Sequence, residues 1–191
     1  MVTQQTYKFR FYLTAQQKRQ LAIEFGHARW VWNWGLELRN KAYEEHEERL
    51  NYITLSGKLT EIKKTEYSWL GKVVASCHTQ KLINLDKAFK NFFDKRAKYP
   101  HFKKRHQSQS VRYQLDQRHV EKNFNAESKL LKLPKLGQIK LKWSRPIEGA
   151  PKMVTVSKDP CRRYFVSMVC EGRSFPLVVG AKECYWRGCG R

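Results

Sequence analysis

The chain has 191 residues, 41% of them hydrophobic, enough to bury a real core and to make one or two domains. With 38 Lys+Arg against 17 Asp+Glu its formal charge is +21, an imbalance that repels itself in a folded state and points to a polyanionic partner, nucleic acid first. No apolar run approaches bilayer length and Met1 to Thr14 lacks the apolar core of a signal peptide, so the reading is a soluble intracellular protein without a membrane partner.

Tyr7 to Leu13, YKFRFYL, alternates apolar or aromatic with basic residues and predicts a strand. Thr14 then opens a helix, because Gln17 stands three residues on, at the spacing where each side chain satisfies the other's free amide. Leu21, Phe25, Ala28, Trp32 and Leu36 give that helix a buried face, and it runs to about Arg49. Trp30, Trp32 and Trp34 cannot all share one stripe, so at least one meets a second helix or a ligand, and packing is the favoured of the two. Glu44, Glu45, Glu47 and Glu48 make an acidic tip that should avoid nucleic acid.

Asn51 to Thr54 reads as a turn, Leu55, Leu59 and Ile62 as a short second helix ending near Lys64, and Trp69 with Leu70 as a connecting loop. A third helix is expected from Ser76 to Lys98, with Leu82, Leu85, Phe89, Phe92 and Phe93 as its apolar stripe and Tyr99-Pro100 as its close. Its other faces and the loop beyond carry Lys87, Lys90, Lys95, Arg96, Lys98, Lys103, Lys104 and Arg105, with Tyr99, His101 and Phe102 interleaved as rings able to stack on unpaired bases. The plainer reading of that run is a solvated face; the whole-chain charge favours a polyanion. Three helices joined by short connections imply an antiparallel bundle.

After Arg105 the period falls to two. Short strands are expected at Val111 to Leu115, Lys129 to Leu133, Gln138 to Trp143, Lys152 to Lys158 and Tyr164 to Cys170, punctuated by Pro134, Gly137, Pro146, Gly149 and Pro151. Five such strands imply a small barrel or sandwich. Lys140, Lys142 and Trp143 interleave with Ile139 and Leu141, so one strand face is apolar and the other basic, the pattern with which oligonucleotide-binding barrels meet nucleic acid, or else a solvated lysine face. The five cysteines, at 77, 161, 170, 184 and 189, are odd in number and scattered, and spell neither a disulfide framework nor a zinc site. Asp86, Asp94, Asp116, Glu121 and Glu127 are spread out, and His78, His101, His106 and His119 form no ligand spacing, so no independent active site is read from them.

Several long segments in order, YKFRFYLTAQQ, FGHARWVWNWGLELRNKAY, LTEIKK, LDKAFKNFFDKRAKYPHFKKR, LLKLPKLGQIKLKWSRPIEGAPKMVTV and RRYFVSMVCE, resemble the TnpB family. These are the OrfB-type transposase-associated proteins of insertion sequences, RNA-guided DNA endonucleases related to type V CRISPR effectors. The resemblance spans about Tyr7 to Glu171. It implies an α+β fold: a helical recognition lobe at 14–106 and an oligonucleotide-binding wedge barrel at 107–175, which the first strand, 1–13, joins. It also implies a structured guide RNA and double-stranded DNA as partners, with other transposition proteins of the element, in a prokaryotic cytoplasm beside the nucleoid. Base pairing would read the target while the protein reads a short adjacent motif. By resemblance that motif is met at Tyr52, Ser56 and Gln117, with Tyr99 and Phe102 as stacking candidates. Lys98, Lys103, Lys104, Arg105, Arg112, Lys140 and Lys142 are the phosphate contacts, a role for which charge suffices.

The family's nuclease domain opens on a strand ending V-G-I-D, whose Asp helps to hold magnesium. Val178-Val179-Gly180 resembles that strand, but Ala181 and Lys182 stand where Ile and Asp would be, and an ammonium cannot ligate a cation. The tail at 176–191 therefore reads as aberrant, the product of a frameshift or premature stop, with no cofactor expected because the family's magnesium and zinc sites lie beyond it. Three readings stand: a binding protein of this family without cleavage, a decayed remnant with nonspecific electrostatic binding, and an unrelated RNA-binding module or an enzyme completed by a partner.

Overall fold

In the computed structural model, residues 2–115, 123–125, 130–142, 147 and 150–173 are described. Expectations resting on Asp116, Gln117, His119, Glu121, Glu127, Trp143 and the tail from 176 lie outside them. The fold is α+β. Strand β1 (Val2–Phe11) leads into helices α1 (Ala15–His46), α2 (Tyr52–Lys64) and α3 (Ala75–Phe93), followed by strands β2 (Gln109–Gln114), β3 (Phe124–Asn125), β4 (Leu130–Leu133), β5 (Gly137–Lys140), β6 (Ala150–Lys158) and β7 (Tyr164–Arg173).

As expected, β1 belongs with the late strands. It pairs antiparallel with β7 from Val2 opposite Arg173 to Phe11 opposite Tyr164, within a four-stranded sheet ordered β1-β7-β6-β2. A second sheet runs β3-β4-β5. The end of β1 joins the two, through a bridge from Phe11 to Leu141 and a hydrogen bond from the Lys142 N–H to the Arg10 carbonyl at 3.3 Å. The hydrogen-bonded order is thus β2-β6-β7-β1-β5-β4-β3, curled about one core, with no pairing of β2 to β3 among the described residues. Alternation places each side chain: Tyr7, Phe9 and Phe11 point inward while Lys8 and Arg10 are exposed, and Ile139 and Leu141 are buried while Lys140 and Lys142 face solvent.

The first half of α1 closes this core. Leu21, Phe25 and Ala28 lie in the same apolar cluster as the inward strand residues. The Thr14–Gln17 capping box forms as expected, with its two hydrogen bonds at 3.1 and 3.2 Å, and the Gln17 amide also donates to the Gln138 carbonyl at 2.7 Å, tying the helix start to β5. Between α1 and β2, the Tyr113 hydroxyl donates to the carboxyl of Glu24, which also accepts from the Gln20 side chain at 3.1 Å. Both Glu24 and Tyr113 are buried.

The second half of α1 forms another core with α2 and α3, built on Val31, Trp32, Leu36, Leu55, Leu59, Leu82 and Leu85. The tryptophans are used in packing: Trp32 is buried, and Trp30 stacks on Trp34 and meets Tyr67 and Trp69 at ring distances of 4.7 and 5.4 Å. Gly35 lets the helices approach, since a Cβ there would sit 3.1 Å from Leu85 Cδ2 and 3.2 Å from Leu82 Cδ2. Gly35→Ala gains helix propensity of about 1 kcal/mol, and overpacking costs about 1 to 3 kcal/mol. The expected net is a loss of about 1 kcal/mol, read as a lower urea midpoint at unchanged slope; a raised midpoint would show that the leucines give way freely.

Three local expectations are corrected. Asn51 is no part of a free turn but the N-cap of α2, accepting from the Thr54 N–H at 2.9 Å. Trp69 and Leu70 lie in a 3-10 helix, Ser68–Lys72. Helix α3 stops at Phe93, five residues before Lys98, because Lys95 adopts φ 58 and the Arg96 N–H turns back to the Asn91 carbonyl at 2.8 Å. Phe93, at the end of the predicted stripe, is therefore 63% exposed.

Candidate nucleic-acid interface

Past the end of α3 the chain folds back along α1 as a strap. Asn33 grips it at both polar atoms of one residue, accepting from the Lys103 N–H at 2.8 Å and donating to the Lys103 carbonyl at 3.1 Å. The Trp32 indole N–H donates to the His101 carbonyl at 3.0 Å, and the Tyr99 hydroxyl to Asn40 Oδ1 at 2.6 Å. Further on, Gln107 accepts from the Lys104 N–H at 3.0 Å and the Gln109 amide donates to the Arg105 carbonyl. The basic run is thus held by its backbone, and its charged ends are left to electrostatics.

Opposite the strap stands the turn between β6 and β7. Arg162 takes φ 61 there, and Asp159 is engaged by Arg163, whose N–H and Nε reach the carboxylate at 2.8 and 2.7 Å. A groove of 590 Å³ opens between α1, the strap and this turn. Arg29 of α1, Arg105 of the strap, and Lys158 and Arg162 of the turn supply its cations; the one carboxylate in its lining is the already paired Asp159. Phe25 and Tyr164 give it apolar surface. Four cations from three separate elements, with no unpaired carboxylate among the described lining residues, concentrate positive charge in the groove.

At its inner end the groove adjoins a smaller pocket lined by Lys81, Lys103, Lys104 and Ser110, with Arg29 and Phe25 common to both. Lys103 is half-buried, its ammonium 3.9 Å from the centre of the Trp32 ring, and burial pulls its pKa down. Lys81 is buried, and burial, with Lys103 and Arg112 as like-charged neighbours, lowers it to about 8.

The expected contact residues divide by place. Lys104 and Arg105 are exposed at the groove and its inner pocket. Arg112 is half-buried on β2, its Nε 3.4 Å from Thr155 Oγ1. Lys98 is exposed on the strap before the grip of Asn33, and Lys140 and Lys142 stand on the exposed side of β5 and just beyond it, outside the groove lining. Tyr52 and Ser56 are half-buried on α2, Tyr52 packing on the helical core. Tyr99 meets Phe89 and Phe92 edge-on at 5.6 and 5.2 Å, whereas Phe102 is 49% exposed. Gln117 falls outside the described residues. Arg29, Lys81, Lys158 and Arg162 were not singled out by sequence; none lies in a basic run comparable to residues 103–105, and only the junction of helices and sheet brings them together.

Among the described residues no three His, Cys, Asp or Glu side chains come together to hold a metal ion. Nor is any helix there long and apolar enough to cross a membrane.

Helices laid on a curled antiparallel sheet, with a cationic groove at their junction, define a basic α+β protein. Residues 1–48 match the family model for the helix-turn-helix domain of the OrfB group of IS605 elements. The chain is 39% identical over 174 residues to a putative RNA-guided DNA endonuclease of Streptomyces pristinaespiralis, covering 89% of this chain and 42% of that one. It is 34% identical over 172 residues to the putative RNA-guided DNA endonuclease InsQ of Escherichia coli K12, covering 87% and 40% respectively. The virulence protein VsdF of Salmonella dublin is 30% identical over 105 residues, 50% of this chain and 88% of that protein. The chain belongs to the OrfB/TnpB family of transposase-associated proteins. It spans about two-fifths of the length of the two endonuclease-named relatives, at 42% and 40%. Within the matched 1–48 the structure is one strand and one unbroken helix through His46, so no second helix is available there to lie in a major groove as a helix-turn-helix would place it.

Proposed function

We propose that this chain is the nucleic-acid-holding part of an RNA-guided DNA-binding protein, its helical layer acting as a recognition lobe and its curled sheet as the wedge. A structured guide RNA and double-stranded DNA are its partners, other proteins of the mobile element act with it, and it works in the prokaryotic cytoplasm at the nucleoid. The cleavage chemistry implied by the relatives' names belongs to the part of those proteins that this chain does not match. The observation that carries the reading is the groove in which Arg29, Arg105, Lys158 and Arg162 converge while Asp159 is occupied by Arg163. These residues neutralise backbone phosphates and set the register of the strand; sequence is left to base pairing.

Replacing all four cations by Gln tests it. Each phosphate contact contributes about 0.7 to 0.9 to the slope of log affinity against log salt, so the variant is expected to lose about 3 from that slope with its fold intact. An unchanged slope would remove the groove from the interface. RNA retained by the wild-type chain at high salt, when sequenced, should be one dominant structured species encoded beside the gene; a random population would overturn the guide reading.

A further inference from the structure

Among the described residues Lys81 is a cation without a counterion. It lies on the inner side of α3, 6% exposed, and the partner of its ammonium is the Ser110 hydroxyl at 3.3 Å. No carboxylate among the described residues forms an ion pair with it. Its surroundings add to the positive charge: Lys103 and Arg112 act on it as like charges, and Lys104 and Arg29 line the same small pocket. The neighbouring Cys77 is a thiol that burial pushes up to about 12, not a carboxylate able to pair with the ammonium. A buried ammonium that answers to one hydroxyl and faces further cations destabilises the free protein.

Such an arrangement is electrostatically incomplete, and an anion at the pocket mouth completes it. The space is small, 20 Å³, about enough for a single oxygen-sized group, and it opens from the inner end of the groove through the shared residues Phe25, Arg29 and Gln109. Resting on the reading that the groove receives nucleic acid, we infer that the pocket formed by Lys81, Lys103, Lys104 and Ser110 seats one backbone phosphodiester, a non-bridging oxygen of which takes the Lys81 ammonium. The exposed cations of the groove follow the strand; Lys81 holds it at one fixed phosphate.

A structural lysine and a ligand lysine predict opposite signs for Lys81→Met. Here the free variant is expected to melt several degrees higher than wild type, because a buried charge is gone, and to bind a labelled RNA hairpin about tenfold more weakly. Its salt slope should be shallower by about 0.7 to 0.9. Lys81→Gln, which keeps a polar tip, carries the same expectation for the slope should Lys81→Met fail to fold. Lys41→Met, an equal loss of charge on the exposed side of α1 beside its acidic tip, should leave the slope unchanged. Equal slopes for wild type and the Lys81 variants, or the same change from Lys41→Met, would overturn the site while leaving the groove reading in place. No binding of the hairpin or of the matching DNA duplex by wild type would remove that reading, and the site with it. Inorganic phosphate that raises the wild-type melting temperature, without any Lys81 effect on the RNA slope, would assign the pocket to a free anion and overturn the phosphodiester.

Discussion

Tyr113→Phe is expected to destabilise the protein by about 3 kcal/mol, lowering the melting temperature by on the order of 10 °C. Glu24 is fully buried between α1 and β2, and burial raises its pKa against the lowering effects of hydrogen bonds from Tyr113 and Gln20 and of the charge of Lys135. Removing the hydroxyl leaves Gln20 as the donor to the carboxyl among the described residues and raises its pKa further. An acid whose folded pKa is raised binds its proton more tightly in the folded state, so its contribution weakens as pH rises from 4.5 through the folded value. The deficit of Tyr113→Phe should accordingly be greatest at neutral pH, where the group is driven toward ionisation, and smaller near pH 4. Chemical denaturation at the two pH values checks this; an equal loss at both would mean that the hydroxyl contributes packing and nothing to the carboxyl.

Acid should undo the fold through the opposite kind of group. His27 and His78 stack at 5.9 Å in the apolar region beside Trp69, and neither nitrogen of His78 nor Nδ1 of His27 has a hydrogen-bond partner among the described residues. Burial, then the charges of Lys135, Lys72 and Lys63, lowers His27 to about 4; burial, then Lys63, His27 and Lys135, lowers His78 to about 3. Both rings stay neutral in the folded protein while the unfolded chain takes up protons from pH 6.5 downward. Stability is fully present above 6.5 and falls as pH drops toward the folded values, by on the order of several kcal/mol for the pair. His78→Leu should flatten that decline with little loss at pH 7, as read from urea midpoints across the range; a variant curve parallel to wild type would show that other groups carry the acid sensitivity.

Much of this fold was legible where local chemistry and tertiary structure agree. The Thr14–Gln17 box, the Leu21 to Leu36 stripe and the alternation of Ile139 and Leu141 with Lys140 and Lys142 depend only on spacing, and each is realised. Turns were harder to place because four of them carry a charged residue at positive φ, namely Glu47, Lys95, Lys135 and Arg162. Without a glycine at Lys95, nothing in the sequence marked the end of α3. Strand β1 also extends further toward the start than the apolar pattern, since Gln4 to Thr6 are held by pairing with Val169 to Glu171 rather than by burial of their own. The candidate interface was legible by half. A run such as Lys103 to Arg105 announces itself, but Asn33, which holds that run, and Arg29, Lys158 and Arg162, which face it, acquire a role only through residues far away in sequence.

The pairing of β1 with β7 gives the chain a particular schedule. Its first described strand is hydrogen-bonded along its whole length to its last described one, Val2 facing Arg173, while three α-helices, a 3-10 helix and five strands of the described residues intervene. During synthesis β1 precedes β7 by the whole intervening span, and Phe9 and Phe11 stay uncovered until β7 has followed. The helices meanwhile contain local contacts enough to form among themselves, so the helical layer is an insertion that matures early inside a sheet that closes late. Until that closure Arg29 and Arg105 have no Lys158 and Arg162 opposite them, and a chain interrupted before β7 would present loose basic segments without the groove that orders them.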